Sequence, residues 1–130
     1  MEKEKQLLLE IKHLYNKLVN APYGRFILGY GTQDPSGDEY KSDALRLYDK
    51  VIELNKECHP AYIDEQTIFN LSHTLSKEVE YVAAKYRDAT KPHAAKTRWR
   101  ELEDLMNRTT RQIHLDLDRV FSRIEEIEAE

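Results

Sequence analysis

Cysteine, glycine, proline and long apolar runs are all scarce in this 130-residue chain. A single cysteine, Cys58, excludes an internal disulfide framework and fits a reducing compartment. No apolar run approaches the roughly 20 residues that a transmembrane helix requires. The N-terminus, Met-Glu-Lys-Glu-Lys, lacks the uninterrupted apolar region of a signal peptide. These absences predict a cytoplasmic protein with no membrane segment.

The composition that remains is typical of a helical bundle. Glycine and proline number four each, whereas 34% of the residues are charged and 40% are hydrophobic. The regular spacing of the apolar residues argues against disorder, and 15.4 kDa suffices for one domain with a modest core. The net charge of −4 gives no overall attraction to nucleic acid or to a membrane.

Apolar residues recur at steps of three and four along most of the chain, which predicts amphipathic helices with coiled-coil-like seams. The predicted helices span about 2–19, 39–57, 64–88 and 92–128, and a glycine-rich loop covers 20–38. Short connections between later helices favour antiparallel neighbours. We therefore expect one domain over residues 1–130, an all-α antiparallel bundle of three to four helices with a long C-terminal helix.

The last predicted helix would be roughly 54 Å long, which exceeds the length of its neighbours. It must therefore project from the bundle or break. Asn107, Thr109 and Thr110 have low helix propensity, so a break is expected there. Leu115 lies on the otherwise polar side of this helix and indicates a second contact surface.

The apolar stripe in the final third of that helix predicts self-association. If the helix stays straight, the stripe has too few partners within the chain to bury it. The leading hypothesis is therefore a small non-enzymatic binding or adaptor protein that forms a homo-oligomer, most simply a dimer, and binds a protein partner. The predicted interface consists of Ile113, Leu117, Val120, Phe121, Ile124 and Ile127.

A second hypothesis places an anionic ligand at the glycine-rich end of the bundle. Between Lys85 and Arg111 the chain has eight basic and four acidic residues, and helix N-termini at this end favour anions. A phosphate group, a nucleotide or a nucleic-acid backbone would suit such an end. Alternatively, the glycines only let the chain turn, and the basic residues form a solvated collar. The candidate ligand-binding residues are Tyr23, Arg25, Tyr30, Lys85, Arg87, Lys91, His93, Lys96, Arg98 and Trp99.

A third hypothesis comes from the stretch Arg108-Thr-Thr-Arg-Gln-Ile-His114. It resembles the Arg-x4-6-His element of the HEPN family of helical ribonucleases, although Thr109 replaces the Asn, Asp or His that usually follows the arginine. The resemblance implies that Arg108 and His114 act on RNA. On a straight helix their side chains would lie about 120° apart, so a local break would have to bring them together.

Neither a metal site nor a cofactor site is predicted. The five histidines have no partner among themselves at helical spacing, whereas zinc requires about four converging ligands. Cys58 stands beside His59 without an orienting group, which favours an incidental thiol over a nucleophile. The glycine-rich loop matches no nucleotide-binding motif. A non-enzymatic protein is therefore favoured over an enzyme, with the ribonuclease kept as the third hypothesis.

Overall fold

The computed structural model describes residues 2–21, 23, 26–27, 31–32, 37–58, 61–85 and 92–130. For residues 26, 27, 31, 32, 83, 92–96, 98 and 99 it describes the backbone only. The elements are α1 (Glu2–Asn20), β1 (Phe26–Ile27), β2 (Gly31–Thr32), α2 (Asp38–Lys56), α3 (Glu65–Lys85), α4 (Pro92–Asp116) and α5 (Asp118–Ala129). The prediction of an all-α helical bundle is confirmed.

Between α1 and α2 the structure contains a minimal hairpin. Strands β1 and β2 pair antiparallel, with Phe26 opposite Thr32 and Ile27 opposite Gly31. The chain enters α2 through Gly37, whose φ of 76° lies in the left-handed region that favours glycine. A Cβ there would lie only 3.1 Å from the Leu102 side chain, so Gly37 also permits a close approach to α4.

A ladder of ion pairs shows that α1 and α2 run antiparallel. Lys3 pairs with Glu57 at 3.0 Å, Glu10 with Lys50 at 3.3 Å and Lys17 with Asp43 at 3.0 Å. Beneath this ladder, the apolar faces of both helices are buried. Each face forms a continuous stripe because its apolar residues recur at helical spacing. The residues that they bury are Leu7, Leu8, Ile11, Leu14 and Leu18 of α1, and Tyr40, Ala44, Leu47, Tyr48, Val51 and Leu54 of α2.

The turn into α3 is tied to both preceding helices. The Asn55 side chain donates to the Ile63 carbonyl at 2.8 Å and accepts from the Tyr62 amide at 3.1 Å. The Tyr62 hydroxyl donates to Glu4 of α1 at 2.7 Å. Burial and this bond raise the pKa of Tyr62 to about 12. Side-chain hydrogen bonds to α1 and to α2 therefore hold this turn in place.

The long C-terminal helix does bend, but at Leu117 and not near Thr109 as the sequence predicts. Leu117 has φ −104° and ψ 27°, while the hydrogen bonds from its amide to Ile113 and from the Phe121 amide back to Leu117 persist at 3.0 Å each. Helix α4 is continuous through Thr110, whose hydroxyl is bonded to the Met106 carbonyl at 2.8 Å. Tertiary contacts therefore override the low helix propensity there.

Beyond this bend, α5 packs on α1. The centroids of the Phe121 and Tyr15 rings lie 4.7 Å apart. Arg123 approaches Glu4 at 3.9 Å, and Lys12 pairs with Glu128. Helix α3 is joined to α4 by the Lys85–Glu101 ion pair at 3.1 Å. Within the described ranges, no helix has the length and apolarity needed to cross a bilayer.

Candidate functional site

Tyr23 was predicted to face a ligand, but its side chain is buried in the bundle. Its hydroxyl donates to the carboxylate of Asp43, and its ring meets Tyr40 edge-on with the centroids 5.3 Å apart. Burial and the bond to Asp43 raise the pKa of Tyr23, so the phenol stays protonated. Tyr23 therefore anchors the chain that follows α1 to the side of α2.

Asp43 is the one buried charged side chain in the described part of the chain. Its carboxylate accepts the hydrogen bond from Tyr23. It also lies 3.0 Å from the Lys17 ammonium nitrogen and 3.9 Å from a guanidinium nitrogen of Arg46. A buried carboxylate requires such partners, because an unpaired one would be strongly destabilising. The cluster satisfies its own charges, which is consistent with a structural role.

A small hollow of about 170 Å³ lies beside this cluster, between the end of α1 and α4. Its described lining includes Glu103, Asn107 and Thr110 but no basic side chain. The volume is below the roughly 300–1,000 Å³ of ordinary ligand pockets. This hollow does not support an anion site.

The other predicted anion-binding residues give no further support. Lys85 is paired with Glu101 and lies 5.9 Å from the centroid of the Tyr81 ring. Arg25, Tyr30, Arg87 and Lys91 lie outside the described residues. His93, Lys96, Arg98 and Trp99 occupy the first turns of α4, where only the backbone is described. Anion binding at this end stays a prediction.

The structure does not bring Arg108 and His114 together. Arg108 pairs with Asp104 at 2.9 Å and lines the side of α4 that faces α3. The His114 ring stacks on Phe121 at 4.9 Å and lies 5.6 Å from Tyr15 of α1. The two side chains are therefore engaged on different sides of a helix that has no break between them.

The residues predicted to form a subunit interface are buried inside the chain itself. Those six residues are Ile113, Leu117, Val120, Phe121, Ile124 and Ile127. Contacts with α1 contribute to this burial, since the Phe121 ring packs on Tyr15 and Lys12 pairs with Glu128. The stripe thus lacks the free apolar surface that the prediction required, and self-association needs another surface.

An open concavity with a partly apolar lining lies between α3 and α4, and we call it the α3–α4 groove. Its main hollow measures about 600 Å³. A second hollow of about 460 Å³ continues it towards the Lys85–Glu101 pair and shares Glu78 and Arg108 with it. The main hollow is lined by Tyr48, Thr67, Asn70, Leu71, Thr74, Leu75, Glu78, Arg108, Thr109, Arg111, Gln112 and Leu115.

Tyr48 is a buried residue of α2 in the lining of this groove. The residue is only 2% exposed, and none of the described residues forms a hydrogen bond with its hydroxyl. Burial raises the pKa of Tyr48, so the phenol remains protonated. A buried hydroxyl without a partner costs about 1–3 kcal/mol. Such a group marks a place where a ligand atom would restore a hydrogen bond.

The rim of the groove carries exposed apolar groups and charges. Leu115 is 68% exposed and Tyr81 is 66% exposed. Lys77, Glu78 and Arg111 also line the groove, and in the described part of the chain none of them forms an ion pair. Exposed apolar groups beside unpaired charges are features of a contact surface.

Sequence reasoning found only one component of this site, Leu115 on the polar side of the last helix. In sequence, Tyr48 is one of several apolar residues of α2, and a buried tyrosine with a hydrogen bond looks identical to one without it. The available signal is the broad apolar arc of α2, which indicates contacts with two neighbouring helices.

The described residues contain no group of three or more His, Cys, Asp or Glu side chains arranged to hold a metal ion. Cys58 is a half-buried free thiol, and burial followed by nearby Glu4 and Glu57 raises its pKa. A raised pKa lowers the thiolate fraction and therefore the nucleophilicity. Comparisons with protein-family models, with characterised proteins and with solved structures found no match to this chain.

Proposed function

We propose that this chain is a non-enzymatic binding or adaptor protein that takes up a helical protein segment in the α3–α4 groove. The observation that carries the proposal is Tyr48, a buried residue of the groove lining whose hydroxyl has no hydrogen-bond partner among the described residues. A segment seated in the groove would supply that partner and would also cover Leu115. Both effects favour the complex.

The dimensions of the groove support a helical occupant. From Thr67 to Tyr81 its α3 wall is about 21 Å long, which matches about four turns of helix. The side chains along the wall alternate between small polar groups, such as Thr74, and apolar groups, such as Leu71. Amphipathic helices dock in grooves of this type through residues one turn apart.

The chemistry of the lining supports binding rather than catalysis. The described ionisable groups of the main hollow are Glu78, Arg108, Arg111 and the protonated Tyr48. A nucleophile activated by a hydrogen-bonded base would be the expected signature of covalent catalysis. We place the protein in the cytoplasm, which the free thiol of Cys58 supports.

The apolar fluorophore anilinonaphthalene sulfonate can test whether the groove accepts a ligand. The isotope-labelled chain is titrated with the fluorophore at a concentration where light scattering shows monomers. We expect NMR perturbations of backbone amides to cluster in residues 67–78 and 108–115. Perturbations confined to other helices would contradict the proposal.

A pair of neighbouring substitutions provides the control. Thr74→Arg fills the groove with a long charged side chain and should remove the response. His73→Arg places the same side chain at an adjacent exposed position that lines no part of the groove, so the response should persist. An equal response from both variants would show that the fluorophore binds elsewhere.

A further inference from the structure

We infer that the occupant of the α3–α4 groove is a second copy of this chain, related by a two-fold axis between Lys77 and Glu78, so that Tyr81 of each copy enters the main hollow of the other. This inference rests on the proposed function, because it names the partner of the same groove. It also transfers the predicted self-association from the buried C-terminal stripe to a surface that is open.

The groove side of α3 has the spacing of an intermolecular helix seam. Thr67, Asn70, Thr74, Lys77 and Tyr81 all line the groove and follow one another at steps of three and four. This is the heptad spacing that keeps one stripe of a helix facing a partner helix. The core of the bundle uses a different stripe of α3, formed by Ile68, Leu75, Val79 and Val82. The second stripe is therefore available for a partner.

A two-fold axis midway between Lys77 and Glu78 makes this stripe complementary to itself. The two α3 helices then run antiparallel, and each Lys77 lies opposite the partner's Glu78. In the described part of the chain both charges lack an ion-pair partner, although nearby Glu80 pairs with Lys41 and Lys85 pairs with Glu101. One symmetric contact would satisfy four unpaired charges.

The same axis brings Tyr81 opposite the partner's Thr74, because Tyr81 and Thr74 lie the same number of residues from the axis along α3. Tyr81 is a large aromatic side chain that is 66% exposed, whereas Thr74 is small and lines the main hollow. A tyrosine hydroxyl both donates and accepts hydrogen bonds. The incoming Tyr81 thus brings a polar atom to the hollow that contains the unpartnered Tyr48 hydroxyl.

Charge exchange at the two-fold axis tests this arrangement directly. Sedimentation equilibrium is measured for the full chain and for the variants Lys77→Glu and Glu78→Lys, with far-UV circular dichroism to verify folding. We expect a dimer for the unmodified chain. Each variant places like charges opposite each other and should raise the dissociation constant by about tenfold or more. An equimolar mixture should dimerise again, because the two variants present opposite charges to each other.

Two further variants separate groove filling from general surface effects. Thr74→Arg removes the space for the partner's Tyr81 and should abolish the dimer. His73→Arg adds the same charge to the same helix outside the groove and should leave the dissociation constant unchanged. A dimer that tolerates Thr74→Arg as well as His73→Arg would overturn the inference.

The other outcomes distinguish this inference from the proposed function. A chain that stays monomeric over the whole accessible concentration range, but whose groove amides respond to anilinonaphthalene sulfonate, contradicts the second-copy inference and leaves the groove as a binding site for a different protein. A monomeric chain whose groove amides do not respond contradicts both. If the charge variants dimerise with unchanged affinity, and if mixing them does not increase that affinity, the two-fold arrangement is contradicted.

Discussion

Tyr40 and Tyr48 lie on the same helix, both almost fully buried, but among the described residues only the hydroxyl of Tyr40 has hydrogen-bond partners. Tyr40 is bonded to the Met106 carbonyl at 3.1 Å and to the Thr110 hydroxyl at 2.7 Å. Tyr48 is 2% exposed, and the described residues offer its hydroxyl no partner. The contrast separates a tyrosine that holds α4 in place from one that borders an open groove.

Replacing each of these tyrosines with phenylalanine should therefore affect the free energy of unfolding differently. Tyr40→Phe removes two hydrogen bonds to α4 and should lower the free energy of unfolding by about 1–2 kcal/mol. Tyr48→Phe removes an unpaired hydroxyl and should leave stability unchanged or raise it by up to about 1 kcal/mol. Urea denaturation of both variants measures the difference.

The same Tyr48→Phe variant should also weaken dimerisation in sedimentation equilibrium, whereas Tyr40→Phe should not. A Tyr48→Phe variant that is destabilised as much as Tyr40→Phe would show that its hydroxyl has a partner within the folded chain.

Removing the buried carboxylate should destabilise the bundle. Asp43→Ala leaves the Tyr23 hydroxyl buried without an acceptor and removes the partner of Lys17. We expect a loss of about 1–3 kcal/mol in the free energy of unfolding, since Lys17 itself is partly exposed and partly screened by water. Thermal and urea denaturation provide the measurement.

Asp49→Ala is the matched control for this substitution, because Asp49 is exposed on the same helix and pairs with none of the described residues. It should change stability by less than about 0.5 kcal/mol. Equal effects at the two positions would show that the buried cluster contributes nothing beyond helix propensity.

Truncating the C-terminal stripe should affect folding and not assembly. Ile124 is buried against the bundle, so Ile124→Ala should cost about 2–5 kcal/mol in the free energy of unfolding. Glu125→Ala, at the exposed neighbouring position, should be nearly neutral. Light scattering below the unfolding transition should give the same mass for both variants. Loss of an oligomer with unchanged stability would instead restore this stripe as the subunit interface.

Alkaline solution should unfold the bundle through its buried tyrosines. Burial raises the pKa of Tyr40 and Tyr62 to about 12 from an ordinary value of 10.0, and it also raises the pKa of Tyr23 and Tyr48. Between pH 10 and about pH 12, the tyrosine hydroxyls of the unfolded chain lose protons that those of the folded chain keep. Unfolding is therefore favoured as pH increases, and the free energy of unfolding should fall from about pH 10 to about pH 12.

Tyrosinate absorbance and circular dichroism should then change together in one cooperative transition. Tyr48→Phe removes one of the shifted groups, so the midpoint of its transition should move to higher pH. Tyrosinate formation that is complete before any loss of helicity would contradict the proposed coupling between these phenols and the fold.

Much of the fold could be predicted from the sequence because helical periodicity is a local property. Leu7, Ile11, Leu14 and Leu18 recur at steps of four, three and four, and they are buried on one face of α1 as expected. The glycine-rich segment and Pro92 likewise marked the ends of helices. These features depend on backbone conformation and on the side chains of near neighbours, which the sequence contains directly.

The position of the bend shows the limit of local reasoning. Thr109 and Thr110 have low helix propensity, but the bond between Thr110 and Tyr40 joins residues that lie far apart in the chain. At Leu117 the helix propensity of leucine does not predict a bend, and packing of Phe121 on Tyr15 supports the bent geometry. Contacts between distant residues decided both positions.

The sequence by itself determined that this chain forms amphipathic helices, where most of them lie and which face of each is apolar. Only the tertiary structure decided what covers each face: α5 returns to α1 and buries the C-terminal stripe, while α3 and α4 leave a groove between them. The reason is physical, since periodicity specifies the side of a helix that avoids water but not the neighbour that excludes it. Tyr48 shows the difference most clearly. Its apolar position follows from the periodicity of α2, whereas the lack of a hydrogen-bond partner among the described residues depends on the helices around it.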